Sequence, residues 1–191
     1  DEARDALRSL YVSRPGHPEA SHFETRLAAL GPIALSAEEQ LERAEALLAL
    51  RRHEAAAELL AGDMPRERRL RARWLHARGM ALFRTRQAYA EAAALLAQAA
   101  RLRGPTAIDD AFHAARALSR ADRDDEAIRA YRALVRAHPR HARASEAEFL
   151  AAWLELHLGR RQGVRSMQRF IVGARGRASP RRRARAIWHL A

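Results

Sequence analysis

The amino-acid sequence predicts an all-α fold in which helix hairpins stack as a right-handed superhelix, an α-solenoid. Three observations lead there. Ala, Leu, Arg and Glu dominate a chain of 191 residues that is 48% hydrophobic and only 6% aromatic, a composition that favours helix over sheet. Apolar residues recur at helical spacing, and no strand-like alternation persists. The same residue types return every 35 to 37 positions, as they do when one supersecondary unit is stacked on copies of itself.

The clearest copy is DAFHAARALSRADRDDEAIRAYRALVRAHP, from Asp110 to Pro139. Phe112, Ala114, Ala115 and Leu118 share one face of a first helix; Ala127, Ile128, Tyr131, Leu134 and Val135 share one face of a second. Ala121–Asp125 forms the turn, Ala115 and Ala127 mark the closest backbone approach, and Pro139 stops the second helix. This is tetratricopeptide-like patterning. The small position Ala127 has counterparts at Ala56, Ala92 and either Gly163 or Val164. Ala115 matches Ala44, Met80 and Ala152, and bulky Tyr131 matches Leu60, Leu96 and Met167. In the fourth copy the second helix fits one residue earlier than the first, which predicts a shorter turn between them.

From the start of the chain, Glu2–Val12 forms an amphipathic helix and Ser13–Pro18 a turn. Pro18 opens a second helix running to about Leu30, before Gly31-Pro32. Residues 1–34 are thus a helical lead-in. Residues 35–191 form the repeat domain, four hairpins and the first helix of a fifth. Ser36-Ala-Glu-Glu39 is a capping box that opens the first hairpin. Thr106–Asp109, Ser145–Glu148 and Ser179-Pro180 carry the same helix-start chemistry. Ile187-Trp188-His189-Leu190-Ala191 aligns with Glu148–Ala152 and offers apolar side chains with no second helix, so the natural protein is expected to continue.

The net charge is +12 with histidines neutral, and every basic residue is Arg. A field of that sign draws polyanions: nucleic acid, anionic glycan or acidic peptide. Three basic runs, Arg66–Arg73, Arg136–Arg143 and Arg175–Arg185, fall at repeat junctions. Arg69, Arg71, Arg73, Arg140, Arg143, Arg181, Arg182 and Arg183 are therefore the candidate polyanion-contacting residues, expected along one edge of the stack. No aromatic residues interleave with them to stack bases, which disfavours nucleic acid.

The absence of cysteine excludes disulfides and thiolate metal sites. The pair His138-Pro-Arg-His141 lacks a third ligand at fixed spacing, and the acidic cluster Asp122, Asp124, Asp125 and Glu126 lacks calcium-loop spacing. No catalytic residue, metal site or cofactor is expected, and no apolar run of about 18 residues could span a bilayer.

The stretch from Leu35 through Ala191 resembles the superhelical region of soluble lytic murein transglycosylases, of the divergent type with tetratricopeptide-like units. The segments that carry this are RAEALLALRRHEAAAELL, ARGMALFRTRQAYAEAAALLAQAA, the Asp110–Pro139 unit, EFLAAWLELHLGRRQGV and RARAIWHLA. The leading ALRSLYVSRPGHPEA is similar to the helix and Pro-containing turn that precede the superhelix in that family. The resemblance implies a periplasmic lyase that cleaves peptidoglycan to 1,6-anhydromuramic ends. Its catalytic Glu, followed by Ser, lies on a separate lysozyme-like domain. No Glu-Ser pair occurs in this chain, so no catalytic residue carries over. The partners implied are peptidoglycan or the catalytic domain of the same chain. The alternative is a non-enzymatic repeat scaffold that binds a protein segment in its concave face.

Overall fold

The computed structural model describes residues 2–173 and 178–190. The beginning of the basic run Arg175–Arg185 and the last residue of the Ile187–Ala191 fragment lie outside the described residues. Among the described residues there are eleven helices and no strands. They are α1 (Glu2–Ser13), α2 (Ala20–Ala29), α3 (Ala37–Ala49), α4 (His53–Leu59), α5 (Arg68–Thr85), α6 (Tyr89–Arg101), α7 (Ala107–Arg120), α8 (Asp124–Ala137), α9 (Ala142–His157), α10 (Arg161–Gly173) and α11 (Pro180–Trp188). The chain divides into two compact units, Asp1–Gly104 with α1 to α6 and Pro105–Ala191 with α7 to α11.

In the first unit, α3 pairs with α4 and α5 with α6. Leu41, Ala44, Leu47, Ala56, Leu60 and Trp74 form the core that joins α3 to α5. The lead-in packs on this core rather than standing apart from it. Arg8 of α1 donates to Glu39 (2.7 Å) and to the Ala34 carbonyl (2.6 Å), and Arg43 of α3 lies 3.6 Å from the Tyr11 ring centre. The Arg8 guanidinium, with the Ser36 amide and hydroxyl, holds the Glu39 carboxyl down to about 2, against the burial that raises it. The capping box is complete: Ser36 N–H donates to Glu39 Oε2 (2.8 Å), and Glu39 N–H donates to Ser36 Oγ (3.3 Å).

In the second unit, α7 pairs with α8, α9 with α10, and α11 closes on α9 and α10. Phe112, Ala115, Ala127, Tyr131, Ala147 and Leu154 lie in one buried cluster; Phe149, Ala152, Met167, Phe170 and Ala186 lie in the next. The bulky positions Leu60, Leu96, Tyr131 and Met167 are all buried, as the repeat register predicts. Each first helix, α3, α5, α7 and α9, is followed by a left-handed residue, Arg51, Arg86, Asp122 or Gly159, with φ between 57° and 64°. After α3, α7 and α9 the next amide reaches back into the helix: Arg52 to Leu47, Arg123 to Leu118 and Arg160 to Glu155, at 2.9 to 3.0 Å.

Several expectations are corrected. The second lead-in helix starts at Ala20, because Arg14 to Ala20 is occupied by consecutive turns and Pro18 lies within one of them. Thr106 does not cap α7; its hydroxyl donates to Asp110 (2.7 Å). Ser145 lies inside α9, which begins three residues earlier because the extended backbone of His141 brings its Nδ1 to accept from the Arg143 amide (3.2 Å). The Ser179-Pro180 start is as expected, with Ser179 Oγ accepting from the Arg182 amide. In the second hairpin the closest approach is at Gly79, not Met80: a Cβ at 79 would lie 2.7 Å from Leu96 Cγ. Trp188, aligned with buried Phe149, is 73% exposed, and Ala186 is the residue α11 turns inward.

The fourth hairpin differs in a way the sequence misplaces. Its turn is not shorter, since residues 121–123 and 158–160 separate the helices in the third and fourth hairpins alike. The residue is lost in the first turn of α10. Gly163 lies three positions after Arg160, to whose carbonyl its N–H donates (2.8 Å), whereas Ala127 lies four after Arg123; in α8 both Glu126 N–H (3.1 Å) and Ala127 N–H (3.0 Å) donate to Arg123 O. Gly163 therefore takes the small position, while Val164 is 44% exposed. A Cβ at 163 would lie 2.6 Å from Leu156 N and 2.7 Å from Glu155 C, so backbone meets backbone.

Two glycine exchanges test these contacts in opposite directions. Gly163→Ala should lower the unfolding midpoint, costing about 1–3 kcal/mol through overpacking, while Gly62→Ala, in open space, should leave it unchanged. Asp122→Gly relieves a left-handed side chain and should raise the midpoint, by about 0.5–1 kcal/mol. Thermal melts followed by circular dichroism check all three.

Candidate interaction surface

The eight candidate arginines do not behave as one set. Arg69, Arg71 and Arg73 belong to the first unit, the other five to the second. Arg71 is turned onto the chain and donates to the Pro65 carbonyl (3.1 Å), and Arg73 pairs with Glu45 (2.8 Å). Arg143 pairs with Asp109 (2.6 Å), lies 4.9 Å from the Phe112 ring centre and approaches Glu146 (3.5 Å). Arg182 of α11 meets the same Glu146 oxygen from the other side (3.6 Å), so two of the three junctions converge there. The Arg143 guanidinium holds the Asp109 carboxyl below the usual carboxylate range, against partial burial. Arg183 is half-buried, with its Nε enclosed and without a partner among the described residues. Arg69, Arg140 and Arg181 are exposed and make no ion pair among the described residues.

The acidic cluster is used in helix starts and ion pairs. Ser119 donates to Asp124 (3.1 Å), Asp125 pairs with Arg160, and Glu126 pairs with Arg123 (2.7 Å). His141 serves as the α9 cap. No group of three or more His, Asp or Glu residues that could hold a metal ion occurs among the described residues, and no described helix is long and apolar enough to cross a membrane.

A different feature emerges along α9. Two clefts, of about 220 and 530 Å³, share Val135 and Glu148 and so run end to end beside this helix. The floor is formed by Ser145, Glu148, Ala151, Ala152 and Glu155; α8 supplies Arg132, Val135 and Arg136 to one wall, and α10 supplies Ser166 and Arg169 to the other. Small Ala151 and Ala152 keep the floor low. Glu155 is completely buried. Its Oε1 accepts from Arg132 and from Gln162 Nε2 (3.4 Å), while Oε2 is enclosed with no partner among the described residues. Ser145 Oγ, at the other end, is likewise enclosed and unpartnered. Unpaired buried polar atoms are rare because each forfeits hydration worth about 1–3 kcal/mol. Sequence reasoning missed Glu155, because a helical carboxylate beside Trp153-Leu154 is ordinarily read as solvated; its fit to the period of Glu148 and Ala152 was the available signal.

The fold and surface define an all-α helical-repeat protein built of tetratricopeptide-like hairpins. Its structure is similar to the solved structure of MamA from AMB-1, a tetratricopeptide-like all-helical protein, with a TM-score of 0.62 over 89% of this chain and 98% of that one. Sequence identity is 17%, so the likeness concerns the fold. No family model matches the sequence, and no curated protein matches it.

The division among arginines is testable. Arg143→Gln removes an ion pair and packing over Phe112 and should destabilise by roughly 1–2 kcal/mol. Arg69→Gln, Arg140→Gln and Arg181→Gln should each stay within about 0.5 kcal/mol of the parent. Urea titrations of the four variants give the comparison.

Proposed function

We propose that this chain is a non-enzymatic repeat scaffold that holds a protein partner. The observation that carries the reading is the solvent-facing cleft along α9, walled by α8 and α10 and lined by Arg136, Arg140 and Arg169, which make no ion pair among the described residues. Stacked helix hairpins give such a surface a rigid setting, and repeat proteins act by presenting one. The fold likeness to MamA supports the scaffold class by analogy of architecture.

A second reading keeps the chain as the superhelical, non-catalytic region of a periplasmic lytic transglycosylase, in contact with peptidoglycan or with its own catalytic domain. The sequence resemblance over residues 35–191 and the unpaired Arg69, Arg140 and Arg181 favour it. Charge alone would hold such a wall contact only weakly, since exposed charges are screened over about 8 Å at physiological salt.

Chemical cross-linking in cells and co-sedimentation with isolated sacculi separate the two. The scaffold reading expects a discrete protein adduct, and sedimentation that vanishes between low and physiological salt. Retention on sacculi at physiological salt that is abolished by replacing Arg69, Arg140 and Arg181 together would favour the wall reading instead. Release of anhydro-muropeptides by the chain alone would contradict both.

A further inference from the structure

We propose that α11 is a pH-sensitive flap: protonation of His189, which packs against Trp153 and His157 of α9, releases the helix and uncovers the apolar cluster beneath it. The inference goes beyond the scaffold reading and does not depend on what the chain binds.

The flap covers a core but is held to it lightly. Ala186 is completely buried in the cluster of Phe149, Ala152, Met167 and Phe170, and Leu190 packs against the same cluster. No other residue of α11 is fully buried, and Ile187 and Trp188 face solvent. Its link to Glu146 through Arg182 is long, at 3.6 Å. The loss of one further contact is therefore enough to shift the helix.

His189 supplies that contact. Its ring centre lies 5.5 Å from that of His157 and 6.2 Å from that of Trp153, both near edge-to-face. Its Nε2 is enclosed and has no partner among the described residues. A neutral ring can leave this nitrogen as a bare lone pair, whereas imidazolium carries a proton there, a charged donor without an acceptor. Trp153 Nε1 is enclosed too, and it is itself a donor. The Trp153 ring lies beyond the roughly 6 Å over which a ring face holds a cation. Trp188, at 5.0 Å, travels with the helix and does not bias docking.

No carboxylate compensates the proton. Every titratable side chain of α10, and of α11 itself, is an arginine. Of the α9 carboxylates, Glu155 is held by Arg132, Glu146 meets Arg143 and Arg182, and Glu148 lines the cleft. Carbonyls at the α9 C-terminus would favour a cation, but those of Leu154, Glu155 and Leu156 are taken by the amides of Leu158, Arg160 and Gly159. Burial, and then the charges of His157 and Arg185, hold the His189 imidazole below its ordinary pKa. The docked helix thus prefers the neutral ring. Docking is at full strength above pH about 6.5, the value of a released histidine, and weakens as the pH falls through it.

The chain contains no cysteine, so paired spin labels can be introduced without background. Labels on Ala133→Cys of α8 and Ala184→Cys of α11, both exposed positions, follow the flap by pulsed electron resonance, and Ala133→Cys with Gln168→Cys of α10 is the control pair. Between pH about 7.5 and about 5.5 the flap pair should gain a longer, broader distance population that grows severalfold and reverses on return. The control pair should stay constant. His189→Phe and His189→Gln, neutral throughout, should each keep one distance distribution at both pH values. A flap distance that does not move with pH, or that moves as much in both neutral variants as in the parent, would overturn the proposal.

Discussion

Each hairpin depends on one close approach between helix backbones. Ala44 with Ala56 and Ala115 with Ala127 are completely buried where their helices meet; Gly79 does this work against Leu96, and Gly163 against the backbone of α9. Side chains larger than methyl would push these helices apart and open the cores holding Leu60, Leu96, Tyr131 and Met167. The periodicity seen in the sequence is the trace of that steric constraint. The left-handed residue after each first helix is its companion, because it reverses the chain within a short turn and returns the second helix to the same contact.

The approach at Gly163 also has a consequence for chemistry. It brings α10 onto the α9 backbone at Glu155 and Leu156, beside the completely buried Glu155 side chain. The ion pair from α8 then compensates one oxygen and leaves the other without a partner. A buried pair of this kind contributes little net stability, since the cost of desolvating both charges offsets their attraction.

Much of this was legible in the sequence, and the parts that were not have physical reasons. The class, the hairpins and the bulky positions follow from volume and periodicity, which are local and repeated. Helix starts proved less readable: Ser36 and Ser179 cap as expected, but the Thr106 hydroxyl donates to Asp110 instead, and the imidazole of His141 takes the capping role ahead of Ser145. After the first helices the left-handed positions are filled by Arg51, Arg86 and Asp122 and only once by Gly, so their usual marker is missing. Among chemically identical arginines, sequence cannot separate Arg143, bound to Asp109 and lying over Phe112, from Arg140, three residues away and exposed. That distinction arises from contacts between α7 and α9. Glu155 was invisible for the same reason.

Site-specific photo-cross-linking in cells tests the central claim most directly. A p-benzoylphenylalanine at Ser166, which is half-buried in the cleft wall, is compared with one at exposed Ala133 of α8, outside the cleft. The account predicts a polypeptide adduct from position 166 alone. Adducts of equal yield from both positions, or only glycan at position 166, would contradict it.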